Sequence, residues 1–180
     1  MIGIYRRKEV SALKLAFTGH RPEGLPFGEN EAAESCRILK RLLWKEIVKR
    51  INNGYDTFYC GAAKGADIIC GELVVLAQEK LTVPIQLICV VPFKDQTKDW
   101  SDSWKQRYNL LLEKSSQVIQ LSEHYYRGCY YARDRYMVDH ADALIAVYSG
   151  QRGGTSYTVQ YAYAQKKEVT ILDPFHMPRI

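Results

Sequence analysis

A glycine-rich turn at residues 149–155 has the composition of a phosphate-binding loop. Its sequence, SGQRGGT, places three glycines in seven residues between an apolar run and a stretch with helical character. The N–H groups at a helix N-terminus lack partners and carry partial positive charge, and glycines let an anion approach them closely. The turn therefore predicts an anion site whose contacts are Gly153, Gly154 and Thr155.

A second polar turn follows the first apolar run of the chain. It offers a hydroxyl, a glycine, an imidazole and a guanidinium in four consecutive residues, Thr18, Gly19, His20 and Arg21. The planar guanidinium matches the geometry of phosphate oxygens. A tight turn with surface side chains is the alternative, but the position at the carboxyl end of a predicted strand favours ligand binding. His20 fits a hydrogen-bonding role better than that of a base.

A third turn, GAAKGAD at residues 61–67, is rich in small residues and opens a predicted helix. It matches neither the dinucleotide-binding nor the Walker pattern. Small residues here serve either a ligand or close packing of helix on strand, and Asp67 would cap the helix or accept hydrogen bonds from a ribose. From their strand-end positions we expect ligand contacts from Gly61, Ala62, Lys64, Gly65, Asp67 and, after the third strand, Pro92.

Arg133 lies at the start of a helix predicted over residues 132–140. A cation is unfavourable beside the positive end of a helix dipole, which favours a role for Arg133 in binding an anion. The alternative is a surface salt bridge with Asp134 or Asp139.

Five tyrosines and Arg127 crowd the segment 125–136. Aromatic side chains near a phosphate site stack on bases, tyrosine and arginine are enriched at protein interfaces, and tyrosines also pack simply against their neighbours. The sequence leaves three roles open: base stacking, a homo-oligomer interface, or packing.

The elements that must position these turns alternate along the chain. Apolar runs predict strands at 13–17, 57–60, 85–91, 118–121, 143–147 and 169–172. Helical spacing predicts helices at 31–51, from the end of the turn at 67 to about 80, at 101–114, at 132–140 and from 155. Such alternation is typical of a parallel sheet whose ligands bind beyond the carboxyl ends of the strands. We expect a flexible arm at residues 1–12 and, over 13–180, a single α/β Rossmann-like domain with a mostly parallel, roughly six-stranded sheet sandwiched by helices.

Composition limits the classes of function. The net charge of +5 on 180 residues is modest, and the basic residues are scattered, so nucleic acid is an unlikely partner. No apolar run reaches the roughly 18 residues of a membrane span, and the N-terminus lacks a signal-peptide pattern, so we expect a cytoplasmic protein without membrane contact. The five cysteines show no metal-ligand spacing, and we expect reduced thiols, no metal and no cofactor.

Four motifs in order, TGHR, GAAKGAD, ARDRYMVDHAD and GGTSYTVQYA, together resemble the YpsA-like family of the SLOG superfamily, which also holds the DprA/Smf and LOG groups. The resemblance runs from Leu15 to Pro174. It implies a Rossmann-like fold and a pocket for a nucleotide derivative at the strand ends, in a group without a settled biochemical activity.

The resemblance to LOG enzymes is partial. Those enzymes cleave cytokinin-type nucleoside monophosphates, and their signature joins an R-K-x-x-M element to P-G-G-x-G-T followed by a glutamate. Four residues fit this signature: Arg133, Met137, Gly154 and Thr155. Tyr157 and Thr158 stand where the glutamate belongs, and glycosidic cleavage needs a carboxylate.

We therefore expect a binding protein for a nucleotide or nucleotide sugar of the NAD or ADP-ribose kind, acting as a sensor, carrier or sequestering protein. A LOG-like phosphoribohydrolase, whose carboxylate would come from Asp67 or Glu72, is the first alternative. Single-stranded nucleic-acid binding, by analogy with DprA, is the second.

Overall fold

The computed structural model describes residues 12–178, in which one parallel sheet carries helices on both faces. The elements in chain order are β1 (Leu13–Gly19), α1 (Glu34–Asn52), β2 (Tyr55–Cys60), α2 (Ala66–Lys80), β3 (Gln86–Val91), α3 (Asp102–Lys114), β4 (Gln117–Gln120), α4 (Cys129–His140), β5 (Ala143–Val147), α5 (Gly154–Ala164) and β6 (Glu168–Leu172), with a 3₁₀ turn at Pro22–Gly24. All five strand pairings are parallel, in the order β4-β3-β2-β1-β5-β6. The predicted single α/β domain is confirmed, while the predicted arm lies, apart from residue 12, outside the described residues.

Two apolar cores form, one on each face of the sheet. The larger contains α1, α2 and α3, and α1 contributes Leu39, Leu43 and Ile47 at the four-residue spacing of one helix face. The smaller holds α4 and α5 through residues such as Met137 and Val159. The strands between the two cores are apolar on both sides, as expected for a parallel sheet covered by helices.

Three of the boundaries that differ from the sequence-based prediction bear on the site. Strand β1 continues to Gly19 because Thr18 and Gly19 pair with the end of β5. Helix α1 begins at Glu34 instead of Glu31, whose carboxylate is held outside the helix by ion pairs with Lys40 and Arg107. Helix α4 begins three residues early, at Cys129 after a left-handed Gly128, so Arg133 lies in its second turn.

The strand order reverses at β1. The chain builds β2, β3 and β4 on one side of β1 and then returns to place β5 and β6 on the other. A crevice for ligands is expected beyond the carboxyl ends of the strands at such a reversal.

All five cysteines are buried with free thiols, in agreement with the predicted reduced state. No helix among residues 12–178 combines the length and apolar character needed to cross a membrane.

Candidate functional site

A cavity of about 310 Å³ opens beyond the carboxyl end of β1, between the N-termini of α2 and α5. Eight of the predicted site residues line it: Thr18, Gly19, His20, Arg21, Asp67, Arg133, Gly154 and Thr155. Sequence reasoning did not assign five further lining residues to the site: Glu23, Gly24, Ala63, Tyr130 and Asp134. Asp134 and Tyr130 belong to segments that the sequence marked as unusual, whereas nothing in the sequence singles out the 3₁₀ turn that carries Glu23 and Gly24.

The other six predicted residues do not line this cavity. Gly61 and Gly65 are positions of close approach within the protein: a Cβ on Gly61 would overlap the Arg133 guanidinium, and one on Gly65 would lie 2.6 Å from the His20 carbonyl oxygen. Lys64 has its Nζ 5.8 Å from the centre of the Trp100 ring. The remaining three predicted residues are Ala62 and Pro92, which are buried, and Gly153, which is exposed and precedes α5.

His20 joins the turn after β1 to the glycine-rich turn after β5. Its Nε2 accepts a hydrogen bond from the Ser149 backbone N–H at 3.0 Å and lies 2.9 Å from the Ser149 hydroxyl. An imidazole nitrogen that accepts from a backbone N–H is unprotonated, which fixes the neutral tautomer with the proton on Nδ1. Partial burial lowers the pKa of His20, which agrees with a neutral ring, although Asp173 opposes the shift. His20 therefore fixes the relative position of the two turns.

Arg133 is buried under the cavity, with 6% of its surface exposed. Its Nε donates to Asp134 Oδ1 at 2.7 Å, its Nη1 donates to the Gly61 carbonyl, and Asp67 Oδ2 lies 3.8 Å away. Thr158 donates to the second oxygen of Asp134 at 3.0 Å. The salt bridge with Asp134 that the sequence offered as an alternative is therefore present, but it is buried, and the position of Arg133 in the second turn removes the helix-start argument.

Asp67 is a buried carboxylate in the lining of the cavity. Burial raises its pKa from the ordinary 3.8 to about 6, since the opposing attraction of Arg133 is partly cancelled by Asp134. A carboxyl group that titrates close to neutral pH can exchange a proton with a bound ligand.

Arg21 and the N-terminus of α5 are the groups best placed to receive an anion. The Arg21 side chain is exposed and makes no ion pair with any residue between 12 and 178, and its guanidinium lies 5.6 Å from the centre of the Tyr130 ring. Helix α5 has no side-chain cap, and Gly154 and Thr155 in its first turn line the cavity. The N-terminus of α2 is closed instead, because the Ala66 N–H donates to the His20 carbonyl at 3.1 Å.

Other candidate groups lie elsewhere in the structure. Glu72 binds Arg107 through both carboxylate oxygens, in a groove between α2 and α3, and does not reach the cavity. Among the described residues, no group of three or more potential ligands could hold a metal ion.

The tyrosine-rich segment divides into separate roles. Tyr130 lines the cavity, and Tyr125 packs against Phe93 with ring centroids 5.6 Å apart. Tyr131 contacts Tyr157 on α5, with centroids 4.5 Å apart. Packing within the chain thus accounts for some of the crowding, and the interface role stays a prediction.

Sequence comparison finds one matching protein family and several related proteins. The profile of the YspA SLOG family (YpsA) matches residues 15–176. The uncharacterized SPbeta prophage-derived protein YoqJ of Bacillus subtilis (strain 168) is 29% identical over 137 residues, covering 69% of this chain and 75% of YoqJ. A UPF0398 protein of Bacillus pumilus (strain SAFR-032) is 25% identical over 178 residues, covering 89% of this chain and 94% of its own length.

Two solved structures share the fold. DNA processing protein A from Helicobacter pylori, described for its single-stranded DNA binding mode, superposes with a TM-score of 0.60 at 20% identity. DprA from Streptococcus pneumoniae gives a TM-score of 0.60 at 15% identity. Each comparison covers 89% of this chain but only 65% and 50%, respectively, of the DprA chains. Because the family profile matches nearly its whole length, the chain belongs to the YpsA family of SLOG proteins.

Proposed function

We propose that this protein binds a nucleotide or nucleotide sugar, of the NAD or ADP-ribose kind, and acts in the cytoplasm as a sensor, carrier or sequestering protein. The observation that carries the proposal is the convergence of Arg21 and the uncapped N-terminus of α5 on one cavity at the reversal of strand order. Backbone N–H groups at a helix start and a planar guanidinium are complementary to phosphate oxygens.

The charges that line the cavity support a phosphate at Arg21 and α5. Arg133 is neutralised by its buried pair with Asp134, and Asp67 adds a further carboxylate beside it. A phosphate is therefore repelled by Asp67 and attracted toward Arg21 and the α5 N-terminus. The carboxylates suit the hydroxyl groups of a ribose, which donate hydrogen bonds.

Replacing Gly154 tests the phosphate site. A Cβ built at Gly154 meets no atom within 4 Å, so Gly154→Val should fold normally while crowding an anion at the helix N-terminus. We expect ribose 5-phosphate and AMP to raise the melting temperature of the wild type and of Gln151→Val, a matched change at an exposed position in the same turn, but not that of Gly154→Val. Equal stabilisation of all three proteins would contradict the proposal.

Hydrolysis of nucleoside monophosphates is the alternative supported by a specific group, since Asp67 combines a pKa of about 6 with a place in the cavity. Against it, α5 presents Tyr157 and Thr158 where LOG enzymes carry a glutamate, and Thr158 is hydrogen-bonded to Asp134. Chromatography of AMP after long incubation distinguishes the two functions. Release of adenine that disappears in Asp67→Asn would establish the enzyme; intact AMP supports the binding protein.

Single-stranded nucleic acid is the remaining candidate, raised by the fold shared with DprA. The expectation that it is not a partner rests on scattered charge and stays a prediction. Fluorescence anisotropy of a labelled oligo-dT at two salt concentrations checks it, and tight binding that weakens steeply with salt would contradict the expectation.

A further inference from the structure

A second cavity of about 380 Å³ adjoins the first, and Tyr130 lines both. One side of the Tyr130 ring faces the Arg21 guanidinium at 5.6 Å, and the ring packs edge-on against Phe93 with centroids 5.8 Å apart. Phe93 in turn meets Tyr125 edge-on at 5.6 Å. A continuous aromatic wall thus leads from the phosphate-binding end of the first cavity into the second.

Gln96 is an unusual buried group in the wall of this second cavity. Its side chain is 5% exposed, and neither its amide nitrogen nor its amide oxygen makes a hydrogen bond of normal geometry with any described residue. The amide lies near Tyr108, where it partly offsets the increase in phenol pKa that burial causes, but that proximity does not satisfy both ends of the amide. Both amide atoms are also almost fully buried from solvent, so Gln96 packs behind the cavity surface, and recognition of a ligand falls to the exposed groups of the lining.

The charges of the second cavity differ from those around Arg21. Asp95, Asp99 and Glu123 line it, with Lys98 as the one lysine or arginine among the described residues of the lining. Glu123 is exposed, accepts a hydrogen bond from the Gln120 amide at 3.1 Å and forms a 3.9 Å ion pair with Lys94. Such a cavity repels phosphate and attracts amino and hydroxyl groups, which donate hydrogen bonds to carboxylates.

We propose that the second cavity holds the nucleobase of the ligand, and that this base carries an exocyclic amino group, as adenine does. This inference rests on the proposed function, because it requires the phosphate to lie at Arg21 and Gly154. The aromatic wall of Phe93 and Tyr125 supplies a stacking surface, and the carboxylates of the lining accept hydrogen bonds from the amino group. The two cavities then bind opposite ends of one molecule, with the ribose passing Tyr130.

The neighbouring residues Tyr125 and Tyr126 provide a matched pair for the test. Tyr125 is 64% exposed and lines the second cavity, whereas Tyr126 is 46% exposed and lines neither cavity. Replacing either by alanine should leave the fold intact.

Calorimetry with AMP and with ribose 5-phosphate measures the contribution of the base. We expect Tyr125→Ala to weaken AMP binding by about five-fold to a hundred-fold, as loss of one stacked base contact does. This variant should bind ribose 5-phosphate as the wild type does, and Tyr126→Ala should match the wild type for both ligands.

The outcomes separate the two proposals. Equal affinity of the wild type for AMP and ribose 5-phosphate, or AMP affinity unchanged in Tyr125→Ala, would overturn the base site and leave the phosphate site standing. Loss of both ligands in the Tyr125 variant would overturn it as well. If the wild type binds neither compound, the proposed function itself fails.

Discussion

The two arginines at the cavity illustrate how burial decides the role of one residue type. The sequence assigned Arg21 and Arg133 to the same anion because both have the planar fork that suits phosphate. In the structure Arg133 already uses its Nε on Asp134 and its Nη1 on Gly61, while Arg21 is exposed and makes no ion pair within residues 12–178. A single sequence carries no direct signal for which arginine is internally paired.

Lysine substitutions should separate the two roles. Arg133→Lys loses directed, charge-assisted hydrogen bonds in a buried position and should lower the free energy of unfolding by about 1.5–3 kcal/mol. Arg21→Lys should change that free energy by less than about 0.5 kcal/mol, yet weaken ribose 5-phosphate binding roughly ten-fold. Urea denaturation and calorimetry on both variants check this, and the reverse pattern would show that the assignments are exchanged.

Asp67 gives a residue-scale prediction about pH. Its pKa is raised in the folded protein to about 6, so the protonated form is favoured there. Its contribution to stability is therefore complete below the unfolded pKa of about 3.9 and is lost as the pH rises through about 6. The Asp67→Asn side chain does not ionise and so does not lose this contribution. The free energy of unfolding of the variant, relative to that of the wild type, should therefore increase by up to about 3 kcal/mol from pH 4 to pH 7.

Urea denaturation at four pH values measures this difference. Comparing the variant with the wild type at each pH cancels other titrating groups. One of these groups is His20. Because its pKa is lowered, its contribution to stability is lost as the pH falls below 6.5, which is opposite to the effect of Asp67. A difference between the two proteins that stays constant from pH 4 to pH 7 would contradict the raised pKa.

At the scale of elements, the sequence predicted every strand and helix but misplaced details that depend on tertiary contacts. Periodicity locates β1, yet only its pairing with β5 extends it through Gly19. The sequence predicts ligand contacts for the small residues of the turn at 61–67, with close packing as the alternative. In the structure Gly61 and Gly65 let the start of α2 pack against Arg133 and His20, which a single sequence does not distinguish from approach by a ligand.

Two glycines with similar positive φ angles test the packing role of that turn. Gly65 has φ +92° and Gly54 has φ +89°, but a Cβ on Gly65 would lie 2.6 Å from the His20 carbonyl oxygen, while one on Gly54 meets nothing within 4 Å. Gly54→Ala should cost about 1 kcal/mol of stability through conformation alone. Gly65→Ala should cost at least about 2 kcal/mol, because it adds backbone strain and a steric clash. Chemical denaturation of both variants measures the difference, and equal losses would show that the contact is unimportant.

At the scale of the whole molecule, the alternation of strands and helices predicted a site at the carboxyl edge of a parallel sheet, and the cavity lies there, at the reversal of strand order around β1. The sequence did not predict the second cavity. Its wall combines Phe93, Gln96 and Tyr125 from segments that show no periodic pattern, and only the fold brings them beside Tyr130.

Hydrogen exchange in the presence of AMP tests this arrangement across the molecule. A ligand at Arg21 and the α5 N-terminus should slow exchange at residues 18–24 and 153–157, because it contacts both of the turns that the hydrogen bonds between His20 and Ser149 already join. If the base occupies the second cavity, protection should extend to residues 93–99 and 123–126. The groove between α1 and α2 that contains Trp44 lies away from both cavities and serves as the internal control. Protection centred on that groove would contradict both proposed sites. Protection at the two turns alone would support the phosphate site and contradict the base site in the second cavity.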